Sequence, residues 1–113
     1  MKKTIIIISV GCLIMIIACS KSSNAIATDC STAKSYSTDV SPIIQSSCAT
    51  NSGCHASGSF NGPGALTTYA QVFSAKASIR NAVASGTMPQ NGSLSSTQRN
   101  TILCWIDSGA ANN

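Results

Sequence analysis

Two cysteines and the only histidine of the chain fall within one short stretch, SSCATNSGCHASG, residues 46–58. Cys54 and His55 are adjacent, while Ala49, Thr50, Asn51, Ser52 and Gly53 separate Cys48 from Cys54. Whatever this chain folds into must bring both thiols to one place, with the imidazole beside them. Two chemistries fit: a small-loop disulfide with a neighbouring histidine, or two thiols and an imidazole that together hold one group. The intervening residues are of types that bend at little cost, so the loop opposes neither.

The beginning of the chain sets the compartment. Lys2 and Lys3 precede an uncharged apolar run from Ile5 to Ala18, the layout of a secretory signal. An uncleaved membrane helix is the competing layout, since Thr4 to Ser20 is at the short end of what spans a bilayer. Ile16-Ile17-Ala18-Cys19 decides between them, because it resembles the lipobox of bacterial lipoproteins. That resemblance implies cleavage before Cys19, lipidation of Cys19, and stable anchoring by two or three acyl chains. The expected organisation is a lipoprotein signal peptide over 1–18, a flexible Ser-, Ala-, Thr- and Asn-rich tether over 19–35, and one domain over 36–113.

Cleavage takes Lys2 and Lys3 with it, half of the formal charge of +4. The five remaining cations, Lys21, Lys34, Lys76, Arg80 and Arg99, are scattered and face Asp29, Asp39 and Asp107. No basic cluster interleaved with aromatics remains, which excludes a nucleic-acid surface.

A domain of roughly eighty residues has a marginal core and commonly needs a disulfide, metal or cofactor to help it. Its apolar inventory is thin: Val40, Ile43, Ile44, Leu66, Val72, Phe73, Ile79, Val83, Leu94, Ile102, Leu103, Trp105 and Ile106. The spacing of Val40, Ile43, Ile44 and Cys48 predicts a helix over Thr38 to Cys48, with Pro42 tolerated in its first turn. The Gly-, Ser-, Asn- and Pro-rich stretch after His55 predicts an ordered surface loop. Thr68 then caps a helix carrying Tyr69, Val72 and Phe73. A second helical pattern in Ile79, Ala82 and Val83 ends at Gly86, with a break near Ala77 or Ser78. Thr87 to Gly92 predicts an extended or turning segment that holds Met88 on a loop. Ser95 and Gln98 form a capping box for a last helix that carries Ile102, Trp105 and Ile106 on one face and stops at Gly109. No strand pattern appears, so the class is all-α, with about four short helices and long loops.

Two thiols followed directly by a histidine is how a chain holds haem covalently: the thiols form thioethers with the vinyl groups, and the imidazole ligates iron. Met88 offers a sixth ligand, a soft thioether that favours ferrous iron. Each residue alone also has a plainer reading. Cys48 and Cys54 suit a disulfide in an oxidising compartment, His55 a surface position, and Met88 packing. Zinc finds no fourth ligand nearby.

The order helix, Cys…Cys-His, loop, helices, Met-Pro, final helix resembles the class I cytochrome c family over about Tyr36 to Asn113. The pieces that carry it are SSCATNSGCH, TMPQNGSLSSTQ and ILCWIDSGA. The chain departs from the family in the gap between its cysteines, five residues where the attachment motif has two. The resemblance implies haem c attached at Cys48 and Cys54, with His55 and Met88 as iron ligands and Tyr69, Phe73 and Trp105 packed on the haem. It also implies that the first and last helices cross, bringing Cys30 and Cys104 within reach of a disulfide worth about 3 to 5 kcal/mol; a buried free thiol at Cys104 is the alternative. The expected function is single-electron transfer between exported redox proteins, with no catalysis, by a lipoprotein on the periplasmic side of the outer membrane. A haem-free, disulfide-stapled binding or scaffold domain is the alternative of a different class.

Overall fold

A computed structural model of the protein describes residues 28–113. The expected signal peptide, the lipobox-like stretch and the expected lipidation site Cys19 lie outside the described residues. Among those residues no helix is long and apolar enough to cross a membrane.

Pro42 has no N–H to return to Thr38, and the chain answers with a wide turn upstream of it. One π-helical turn, Tyr36–Val40, leads directly into α1, Ser41–Ser47, with Pro42 in the first turn of the α-helix. The expected Thr38 to Cys48 helix is thus a π turn and an α-helix in series, and Cys48 caps its end. Asp39 fastens the entry by accepting the Ser35 N–H at 2.7 Å.

Thr68 starts α2, Tyr69–Ser74, through a reciprocal box with Gln71. α3, Lys76–Ser85, follows after a break at Ala75, earlier than the expected Ala77 or Ser78. Val72, Ala75, Ile79 and Val83 are all buried, so the apolar stripes of α2 and α3 are in register once Ala75 is counted in the buried face. Gly86 ends α3 with φ +74°, a left-handed conformation that glycine adopts without a Cβ penalty.

α4, Ser96–Asp107, opens with the Ser95–Gln98 box. It buries five consecutive residues, Thr101 to Trp105, where one apolar face is expected; Ile106 is only half-buried. The reason is that α4 is covered from several sides. It packs on α3 and on the π turn, and it carries the Cys30–Cys104 disulfide. The helix ends at Asp107, and the tail folds back over it. Trp105 Nε1–H donates to the Ala111 carbonyl and the Tyr69 hydroxyl to that of Ala110, each at 2.9 Å.

Four helices and one π turn, with no strand among the described residues, make an all-α fold. Its centre is Val40, Ile44, Val72, Ile102 and Trp105, all fully buried. Residues 28–35 of the expected tether are tied to this body by the disulfide, by Asn100 Nδ2–H donating to the Asp29 carbonyl at 2.6 Å, and by Ser35 Oγ–H donating to that of Asn113 at 2.8 Å.

Candidate functional site

Cys48 sits where α1 runs out, its N–H still bonded to the Ile44 carbonyl at 2.9 Å. Asn51 then organises the inserted loop. Its side-chain Oδ1 accepts from the N–H groups of Gly53 at 2.9 Å and Cys54 at 3.1 Å, the local turn that asparagine forms readily. Its carbonyl accepts from Cys54 and Ala56, each at 3.0 Å. The loop closes where His55 N–H donates to the Cys48 carbonyl at 3.0 Å. The five intervening residues therefore loop out, and Cys48 and His55 remain neighbours through their backbones.

The downstream loop holds the imidazole. Gly64, at φ +95°, turns its carbonyl to His55 Nδ1 at 2.9 Å. A carbonyl can only accept, so Nδ1 is the donor here, and Nε2 is the nitrogen left free for a ligand. Leu66 N–H donates to the His55 carbonyl at 2.8 Å, and Gln45 Nε2–H to the Leu66 carbonyl at 3.0 Å, which locks this loop to α1. His55 is buried.

Cys48 and His55 face a cavity of about 320 Å³. Cys48, His55 and Leu66 line it together with Ile79, Ala82 and Val83 of α3; Thr87 and Met88 come from the segment after α3, and Gly62 and Pro63 from the loop. No charged side chain lines it. Its size is at the lower end of the range for small-molecule and cofactor sites. Met88 arrives because the Gly86 cap turns the chain back, with the N–H groups of Thr87 and Met88 donating to the Ala82 carbonyl at 3.0 and 3.4 Å.

The structure thus brings Cys48, His55 and Met88 to one cavity. Cys54 is half-buried beside them and does not line it. Cys48 and Cys54 carry free thiols, and burial, with the neighbouring Cys54 second, pushes the Cys48 thiol above its ordinary pKa. Cys30 and Cys104 form a disulfide apart from the site, with Cα atoms 5.3 Å apart.

The expected aromatic partners lie elsewhere. Trp105 and Tyr69 join Tyr36 in a core cluster, with ring centroids 5.1 to 6.4 Å apart, and none of the three lines the cavity. Phe73 is 36% exposed and its ring lies under Lys76 Nζ at 3.7 Å. The aromatics complete the protein's own core, and aliphatic side chains wall the cavity. Ile79 and Val83, one helical turn apart, were the sequence signal for that wall; Gly64 gave no signal beyond its place in a Gly-Pro-Gly turn.

The cavity's donors are an imidazole nitrogen, a thioether and the Cys48 thiol, with the Cys54 thiol beside it. Among the described residues no group of three or more His, Cys, Asp or Glu side chains is placed to hold a bare metal ion. The donor set suits an iron that arrives within its own macrocycle, because such an iron asks the chain for only two axial ligands. No protein-family model, curated protein or solved structure matches this chain.

Proposed function

We propose that this chain is a membrane-tethered monohaem c-type cytochrome that carries single electrons between exported redox proteins. The observation that supports it most is the convergence of Cys48, His55 and Met88 on one uncharged cavity, with the His55 proton committed to the Gly64 carbonyl. Cys48 and Cys54 would hold the haem through thioethers, and His55 Nε2 and the Met88 sulfur would be the protein's ligands to its iron. Bound there, haem supplies an iron that alternates between ferrous and ferric.

The chain's own contributions follow from its chemistry. The Nδ1–H···O=C bond orients the ring and raises the basicity of Nε2. The Met88 thioether favours the ferrous state. Leu66, Ile79 and Val83 present an apolar wall to the cavity. On this reading Cys19 carries the lipid, and the domain faces the periplasm from the outer membrane.

Intact mass and haem staining of protein exported from a host that matures c-type cytochromes test the proposal. A haem adduct is expected in the wild type. Met88→Ala should keep the adduct, lower the reduction potential and abolish the sulfur-to-iron charge-transfer band. A wild-type mass without an adduct puts a haem-free, disulfide-stapled scaffold domain in front. One observation favours that second reading: the aromatic core closes on itself, away from the cavity.

A further inference from the structure

Arg99, in the first turns of α4, is the helix's only cation. Its Nε is buried with no hydrogen-bond partner, and no acidic side chain pairs with it among the described residues. Its Nη2 lies 3.6 Å from where a Cβ on Gly86 would stand. Gly86 is the left-handed cap of α3, and Thr87 and Met88 follow it directly into the cavity wall.

The end of α3 concentrates partial negative charge. The Ala82 carbonyl already accepts from Thr87 and Met88, and the last carbonyls of a helix carry the negative end of its dipole. A cation pressed there is attracted to the turn that presents Met88. With no carboxylate to neutralise it, its field also reaches the cavity, whose lining holds no charge.

We infer that Arg99 is a positioning residue. It clamps the Gly86–Met88 turn against the end of α3, and its uncompensated charge raises the reduction potential of a centre held in the cavity. The second half rests on the haem reading; the first does not.

Met88 ends this turn, so its methyl resonance in methionine-methyl-labelled full-length protein, assigned by its loss in Met88→Ala, reports on the turn directly. Arg99→Gln, with its helical circular dichroism retained, should move that resonance to the position of a solvated thioether. In haem-loaded protein it should also lower the potential and weaken the sulfur-to-iron band. Arg99→Lys, which keeps the charge, should hold all three near wild type. Arg80→Gln removes a cation from an exposed pair and should leave them unchanged.

An unmoved Met88 resonance in Arg99→Gln overturns the clamp, and an unchanged potential overturns the electrostatic half. If Arg99→Gln does not fold, a Met88 resonance displaced to the solvated position in Arg99→Lys overturns the inference alone. A wild type that takes up no haem defeats the proposed function, while the methyl resonance still decides the clamp.

Discussion

His55 is committed at one nitrogen before any ligand arrives, because the Gly64 carbonyl occupies Nδ1 at 2.9 Å. That single bond makes the free nitrogen Nε2. Beside it, the Cys48 thiol is pushed above its ordinary pKa, first by burial and then by the neighbouring Cys54. A raised pKa means less thiolate at neutral pH, so in haem-free protein Cys48 should react with iodoacetamide more slowly than an unburied thiol. Its rate should go on rising at pH values where an ordinary thiol has levelled off. Peptide mapping of timed alkylation checks this. Residue identity at this site was legible in the sequence, since Cys48, His55 and Met88 are rare residue types in a suggestive order. The imidazole's acceptor was not, because Gly64 offers only a carbonyl, which every residue has.

At the scale of the element, local chemistry is self-announcing. The Ser95–Gln98 box closes in both directions, with Gln98 N–H donating to Ser95 Oγ at 3.1 Å and Ser95 N–H to Gln98 Oε1 at 2.9 Å. Ser95→Ala should cost about 1 kcal/mol. It should appear as a lower urea midpoint with an unchanged slope. The Arg80–Asp107 pair at 2.6 Å depresses the Asp107 carboxyl, yet both side chains are largely exposed, and removing the pair should shift stability little. The cap was readable because its partners are three residues apart. The break between α2 and α3 lies at Ala75, earlier than the apolar pattern predicts, because Ala75 is too small to register as part of an apolar stripe until a neighbour packs on it.

For the whole molecule, the disulfide matters most. It joins Cys30 to Cys104 across 74 positions of sequence. In the chain-entropy account a loop of that length stabilises by about 4 kcal/mol, a large share of the about 5 to 15 kcal/mol typical of a folded domain. The double variant Cys30→Ser, Cys104→Ser should therefore have a urea midpoint far below wild type, while Cys48→Ser in haem-free protein should not. Equilibrium denaturation of the two checks this.

The sequence by itself determined the helical class, the helix caps and the residue types at the site, since these rest on spacings of a few residues and on local hydrogen bonds. Tertiary structure alone decided which cavity those residues share. It drew Met88 across from the end of α3 to His55, sent Trp105 and Tyr69 into the protein's own core, and set Arg99 against Gly86. Such juxtapositions join residues far apart in sequence, and packing of the whole chain selects them; no local pattern encodes them.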